Sequence, residues 1–231
     1  MPKVDATRSE YDELVAPWGL IRDSVDGSRA VKAKGDTYLP RPNPTDKSAE
    51  NVARYEQYKD RAVFYNVTSR TVAGLSGQVF KKAPRIELPG SIQSLLDDVD
   101  GGGVSLLQQS KKVLTDVLAI SRAGLFVDYP DTGGAGVTRQ QQAEGLIRPS
   151  IIYYRGEDII NWRSKRLGGI NKVSLIVLHE VVTEDKDTFE QVEIEQWRVL
   201  SLDETNQYLM EVWRKDESTN CLLYTSPSPR D

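Results

Sequence analysis

Ser105 to Pro130, SLLQQSKKVLTDVLAISRAGLFVDYP, holds the transition on which the fold turns. Ser105 stands where a helix N-cap belongs. Leu106, Leu107, Val113, Leu114, Val117, Leu118 and Ile120 follow with a 3.6-residue period, which predicts a helix with a wide buried face. Gly124 is expected to end that helix as a C-terminal glycine. Leu125 to Tyr129 then reads as a buried strand, and Pro130 stops it.

Upstream of this stretch the pattern is helical. Arg8 to Val15 gives a short helix that Pro17 is expected to end, with Trp18 to Arg29 irregular. Gly35, Pro40, Pro42 and Pro44 make Lys34 to Pro44 an extended connector. Ser48 or Asp46 can cap the long helical region that follows. In it Val52, Tyr55, Lys59, Ala62, Val63, Asn66, Val67 and Arg70 recur at three- and four-residue steps. The pattern runs on through Val72, Leu75, Val79 and Phe80 and stops before Pro84. Gly74 and Gly77 lie inside it, each costing about 1 kcal/mol relative to alanine, which points to close packing against a neighbour. Tyr55, Tyr58, Phe64 and Tyr65 form an aromatic cluster expected in the core or at a subunit contact. Ser91 to Val99 is a short helix closed by Asp100 and Gly101 to Gly103.

Downstream, Asp131 to Val137 reads as a glycine-rich loop and Thr138 to Gly145 as a short polar helix. From Pro149 the residue types change to Val, Ile, Tyr and Trp. Ser150 to Tyr154, Ile159 to Arg163, Lys172 to Val182, Phe189 to Leu200 and Tyr208 to Arg214 are strands. Turns at Gly168-Gly169, Glu184 to Asp187 and Asp203 to Asn206 separate the later ones. They form an antiparallel meander, into which Leu125 to Tyr129 is expected to pair. A helical N-terminal half followed by an antiparallel sheet is an α+β fold. The expected divisions are an N-terminal extension and Pro-rich connector at 1–47, a helical part at 48–147, a sheet part at 148–220 and a foreign tail at 221–231.

Composition narrows the function. With 39% hydrophobic and 28% charged residues, the 231-residue chain has the make-up of an ordinary globular protein. No run approaches the roughly 20 apolar residues of a membrane span, so no membrane partner is expected. The opening MPKVDATRSEYDEL has no apolar core for a signal peptide, and the chain is expected to stay in the compartment where it is made. Cys221 is the only cysteine and His179 the only histidine, so an internal disulfide and the common structural zinc sites are excluded. The net charge of -4 argues against gripping DNA phosphates as the main task of the chain.

The candidate chemical motifs fail one by one. His179-Glu180 opens like a zinc-protease motif, but Thr183 occupies the place of the second histidine. Asp97, Asp98 and Asp100 suggest a metal loop, yet Leu96 and Leu107 fall at the first and last calcium-ligand positions. A solvated helix end is the plainer reading, with magnesium-dependent nuclease chemistry as its rival. Gly133-Gly134-Ala135-Gly136 follows a strand, as a phosphate loop does, but lacks the Gly-Lys-Ser/Thr ending. Gly74-Leu75-Ser76-Gly77 has the wrong spacing for a nucleophile elbow. Asn66-Val67-Thr68 has the form of a glycosylation sequon, which has no meaning in a chain that is not secreted. No catalytic, cofactor-binding or metal-binding residue is expected, and no cofactor.

The last residues are of another kind. Cys221 to Asp231, CLLYTSPSPRD, resembles the in-frame translation of a transposase adaptor used to build sequencing libraries. Such a scar has no part in the fold. The natural protein is then expected to run to about Asn220 and to continue beyond it. The apolar Leu222, Leu223 and Tyr224 are expected to make few core contacts. Without Arg230 and Asp231 the charge stays at -4.

Three further stretches carry a resemblance. Arg61-Ala62-Val63-Phe64-Tyr65-Asn66, with Arg70-Thr71-Val72-Ala73-Gly74-Leu75-Ser76-Gly77-Gln78-Val79-Phe80, resembles the N-terminal helix of a portal-like family of tailed bacteriophages, long catalogued as a domain of unknown function. Ser105-Leu106 through Val113-Leu114, then Ser121-Arg122-Ala123-Gly124-Leu125-Phe126-Val127-Asp128-Tyr129-Pro130, is similar to the helix-glycine-strand unit of that family. Arg148-Pro149 with Ile159-Ile160-Asn161-Trp162-Arg163 is similar to its first sheet segment. The resemblance covers roughly Trp18 to Arg214 and implies the wing of a portal protein. It implies a homo-oligomeric ring, typically of twelve subunits, at one capsid vertex. Double-stranded DNA passes through the channel, the terminase large subunit docks on the ring, and major capsid and head-tail connector proteins adjoin it. The implied location is the virion, and the bacterial host cytoplasm before assembly. Channel-lining and motor-docking residues of the stem, clip and crown have no counterpart in this chain. The rival readings are another virion structural protein, such as a head-tail adaptor, and a metal-dependent nuclease using Asp97, Asp98 and Asp100.

Overall fold

The structure, a computed structural model, describes residues 3–129 and 148–215 and the backbone of 222–229. The fold is α+β, with five helices followed by seven strands among the described residues. The chain divides into two compact units that interleave along the sequence. One comprises Met1–Val15, Leu88–Gln109 and Arg122–Asp231, the other Ala16–Glu87 and Ser110–Ser121. The compact units do not coincide with the expected divisions at 47/48 and 147/148.

The helical unit departs from the expected pattern in two places. Helix α1 runs over Ser9–Asp26 with Pro17 inside it, and α2 follows over Ser28–Ala33. Pro17 therefore does not end the first helix, and Trp18 to Arg29 is not irregular. A proline in a helix interior forfeits one hydrogen bond, but tertiary contacts hold the turns after it. Trp18 and Asp23 are buried. Arg22 pairs with Asp116. Asp23 accepts from Tyr38 and pairs with Lys34 at 2.6 Å.

The second departure is that the long helical region is two helices, α3 over Ala49–Arg61 and α4 over Val67–Val79. Ser48 caps α3 by accepting from the Asn51 N–H. Ala62 turns extended, and Asn66 caps α4 by accepting from the Ser69 N–H at 2.8 Å. The sidedness of the apolar stripe carries across the break, so periodicity alone could not reveal it. Asn66 also donates to the Val25 carbonyl, which binds the α3–α4 joint to the end of α1. Tyr55 is buried and donates to the Leu39 carbonyl at 2.8 Å, beneath the Arg41 guanidinium. Phe64 is half-buried, while Tyr58 and Tyr65 are exposed. The aromatic residues thus divide between core and surface. A side-chain carbon placed on Gly74 or Gly77 would meet nothing within 4 Å, so neither glycine serves close packing among the described residues. Gly35–Thr37 forms a 3-10 turn in the connector.

Helix α5 spans Leu106–Ile120. Ser105 and Gln108 cap its start reciprocally, with Ser105 Oγ accepting from the Gln108 N–H and Gln108 Oε1 from the Ser105 N–H. The helix ends at Ser121, which itself takes the left-handed conformation with φ 62°. Gly124 is not the terminator; it lies within strand β1, Ala123–Asp128. Its role is close approach: a Cβ there would stand 3.0 Å from Ile159 Cδ1 and 3.3 Å from Tyr154 Cβ. Gly90–Leu96 is a 3-10 segment broken at Ile92, in place of the expected Ser91 to Val99 helix.

The strands form two sheets. β1 pairs antiparallel with β2, Ser150–Arg155, in a two-stranded sheet. β3 (Ile159–Leu167), β4 (Ile170–Asp185), β5 (Gln191–Leu202), β6 (Tyr208–Lys215) and β7 (Leu222–Pro229) form a five-stranded antiparallel meander. Leu125 to Tyr129 therefore does not join the meander. The 3-10 turn Gly156–Asp158, closed by the Asp158 carboxylate on the Arg155 N–H, separates β2 from β3 along the chain. Nor is β1 buried on both faces. Leu125 and Val127 are 56% and 60% exposed, while Phe126 packs with Tyr154, Ile159 and Leu178. Between β3 and β4, Gly168 and Gly169 both have positive φ, which suits a tight two-residue hairpin.

Backbone pairing sets β7 beside β6 from Leu222↔Lys215 to Pro229↔Leu209. Backbone pairing at a free sheet edge accepts many sequences, so this register does not bear on the origin of the tail. The side chains of Leu222, Leu223 and Tyr224 lie outside the described residues, as do Asp131 to Val137 and Thr138 to Gly145.

Candidate functional site

The most densely bonded polar cluster of the sheet unit centres on Glu180. Strand register brings it about: Glu180 lies opposite Gln196, and Gln196 opposite Arg214, across β4, β5 and β6. Arg198, two residues along β5, falls diagonal to Glu180 on the same face. Tyr154 reaches the same carboxylate from β2. Glu180 accepts from the Tyr154 hydroxyl, from Gln196 Nε2 and from Arg198 Nε, the last at 2.7 Å. Arg214 Nε donates to Gln196 Oε1 at 3.0 Å. Arg198 lies 3.7 Å from the Asp128 carboxylate of β1 and 5.3 Å from the Phe126 ring centre.

The electrostatics of this cluster are those of a fastening. Burial pushes the Glu180 carboxyl upward, but hydrogen bonds from Arg198, Tyr154 and Gln196 prevail and hold it below the usual carboxylate range. Burial, then the Glu180 carboxylate, drives the Tyr154 hydroxyl far above its ordinary value. Burial lowers Arg198, but the hydrogen bond and charge of Glu180 outweigh it and raise it. Each group is driven away from neutral pH, whereas a proton-transfer residue is tuned toward it. The cluster joins the two-stranded sheet to the larger one through the Tyr154–Glu180 and Asp128–Arg198 contacts.

A cavity of about 280 Å³ adjoins it, lined by Phe126, Leu200, Tyr208, Leu209 and Met210. Small-molecule sites are usually larger and carry several convergent polar groups; here only Tyr208 brings one.

The three candidate aspartates build a loop. Asp98 accepts from the Gly101 and Gly103 N–H groups at 2.8 and 3.0 Å and from Arg148, whose Nη1 also donates to the Asp98 carbonyl. Burial pushes the Asp98 carboxyl up, but the Gly103 N–H, Arg148 and the Gly101 N–H hold it below its ordinary range. Asp100 accepts from the Gly102 and Val104 N–H groups. Asp97 is exposed at the end of the 3-10 segment. No group of three or more His, Cys, Asp or Glu side chains suited to a metal occurs among the described residues. The loop instead fixes Val99, whose carbonyl accepts from Ile151 at 2.7 Å and so sets β2 beside it.

His179 lies on β4 beside Trp197 and 3.7 Å from Glu195. Gly74 to Gly77 lies within α4, and Asn66 of the sequon is engaged as a helix cap. Gly133 to Gly136 lies outside the described residues. Sequence reading touched Glu180 only as the partner of His179 and missed its cluster. The available signal was a carboxylate in the midst of the apolar run from Leu175 to Val182. No helix among the described residues is long and apolar enough to cross a membrane. No family model matches the chain, and no curated protein matches it in sequence.

Proposed function

We propose that the chain is the N-terminal, wing-forming part of a bacteriophage portal subunit, a structural component of the ring through which DNA is packaged and ejected. The observation that carries this reading is the helix-glycine-strand unit. Helix α5 leads into β1, where Gly124 lets the backbone approach Ile159 and Tyr154, and Pro149 leads into β2. This is the element order the resemblance implies. A second feature supports an assembling protein: Val63 and Tyr65 between α3 and α4, and Val67, Leu75 and Val79 on α4, are all well exposed. Apolar surface of that kind marks interaction sites when it is contiguous. The residues from Cys221 onward we take as adaptor-derived.

The test is to read the parent gene past Asn220 and examine its full-length product by electron microscopy and light scattering. A long following helix and a closed ring with a central channel are expected. A gene that stops shortly after Asn220 would favour a head-tail adaptor. Magnesium-dependent cleavage of supercoiled plasmid, lost on substituting Asp97, Asp98 and Asp100, would favour a nuclease.

A further inference from the structure

We propose that the two hairpin ends of the five-stranded sheet are complementary poles, through which one copy of the chain docks head-to-tail on a second copy. The inference rests on the ring reading in one respect, that the partner is another copy of this chain.

The argument begins with charge segregation. From Trp162 to Leu178, around the β3–β4 turn, the chain carries Arg163, Lys165, Arg166 and Lys172 and no carboxylate, within a protein of net charge -4. All four cations are exposed. No hydrogen bond or ion pair joins their side chains to an acidic group among the described residues. Lys165 and Lys172 stand directly opposite each other across the β3–β4 ladder. Like charges so placed repel, and an external anion relieves them.

The other end of β4 is the reverse. From Val181 to Glu195, around the β4–β5 turn, the chain carries six carboxylates and one cation, Lys186, and Arg214 of β6 pairs with only one of the six, Glu184. The sixteen residues of β4 separate the poles by roughly 50 Å at about 3.3 Å per residue. One molecule cannot satisfy its own poles across that distance, but two molecules can.

Each pole also carries an apolar anchor. Phe189 is 95% exposed at the acidic turn, on a backbone ordered by the Asp187 carboxylate, which accepts from the Phe189 and Glu190 N–H groups. Ile170 is 66% exposed beside the glycine turn of the basic hairpin. An exposed aromatic on a fixed turn, ringed by charge, is the form of an interface anchor. The N-terminal segment covers the start of the β3 edge, where Arg8 donates to the Ile160 and Trp162 carbonyls, and the cations lie beyond that cover. Because the two surfaces differ, the contact is heterologous and repeats from copy to copy. An acidic pole in the same chain favours a second copy over a nucleic acid as the occupant.

The test uses the full chain in sedimentation velocity, with two triple variants at exposed positions. Asp185→Lys/Glu190→Lys/Glu193→Lys reverses the acidic pole, and Lys165→Glu/Arg166→Glu/Lys172→Glu reverses the basic one. The unaltered chain should associate as concentration rises at about 0.05 M salt, and about tenfold more weakly at about 0.5 M. Each variant alone should lose association while keeping its circular dichroism, and an equimolar mixture of the two should regain it. A chain that stays monomeric at low salt, or a mixture that does not regain association, overturns the proposal. So does a basic-pole variant that loses binding to duplex DNA while self-association is unchanged. The two readings fail separately. A full-length ring indifferent to both reversals removes the docking contact and leaves the portal reading. Mixture rescue without any full-length ring does the opposite.

Discussion

Replacing Glu180 by glutamine should cost the sheet unit a large part of its stability. The carboxylate accepts hydrogen bonds from three side chains and neutralises Arg198, and the two side chains of that pair are only 11% and 14% exposed. Removing one partner of a buried pair leaves the other charge stranded, at a cost of about 3–5 kcal/mol. Glutamine can still accept one bond, so the lower part of that range applies, against a total of about 5–15 kcal/mol for a typical domain. Urea unfolding followed by tryptophan fluorescence is a suitable assay, because Trp162, Trp197 and Trp213 all belong to the sheet unit. The pH dependence has a definite sign. The folded carboxyl sits below its unfolded value, so its stabilisation is full above the unfolded pKa. It is lost as pH falls through the folded one, progressively below about pH 5. Glu180→Gln should flatten that acid limb of the curve. Replacing the pair together, as Glu180→Leu with Arg198→Met, should cost less than the two single changes summed, since no charge is stranded. An unchanged unfolding midpoint for Glu180→Gln would refute the view that this cluster fastens the two sheets.

Gly124→Ala should destabilise by about 1–3 kcal/mol in the same assay, because its Cβ would press on buried Ile159 and Tyr154. Gly74→Ala and Gly77→Ala should do the opposite, each stabilising α4 by up to about 1 kcal/mol in thermal unfolding, since open space surrounds both positions. Removing 221–231 should change the unfolding free energy by less than about 0.5 kcal/mol if the tail is foreign to the fold; a larger loss would make β7 part of the native protein.

What could be read from the sequence was local. Ser105 with Gln108, the stripe from Leu106 to Ile120 and the glycine pair at 168–169 each determine structure within a few residues, and helix α5 and the β3–β4 turn form where their patterns predict; the wide buried face does not follow, since Val117 and Leu118 are exposed and only Ile120 of the stripe is buried. What could not be read depended on distant partners. Pro17 signals a helix end, but Trp18 is buried and Arg22 and Asp23 are held by Asp116, Tyr38 and Lys34, and that packing outweighs one missing hydrogen bond. Ala62 to Asn66 keeps the helical spacing of apolar residues while Asn66 starts a new helix, so the break shows only in the cap. Gly124 was legible as a required glycine and not for its reason. Its sequence position suits a helix terminus, and its contacts arrive from residues 154 and 159.

The Glu180 cluster shows the same limit at the level of the site. Glu180, Gln196, Arg198 and Arg214 come from three strands that only the register places on one face, and Tyr154 reaches them from the other sheet. No local motif could announce them, and the motif that did include Glu180 pointed to zinc chemistry that a chain with one histidine cannot perform. Charge segregation differs, because it is a property of contiguous sequence. The four cations between residues 163 and 172 and the six carboxylates between 184 and 195 are visible before any fold is known. The fold adds that both runs are hairpin ends of one sheet, joined by β4 and directed away from each other. The buried cluster couples the two sheets through side chains, while the two unlike charged ends of the larger sheet remain exposed. Burial and partners drive Glu180, Tyr154 and Arg198 away from neutral pH, so the cluster's own groups are held in fixed charge states by their neighbours.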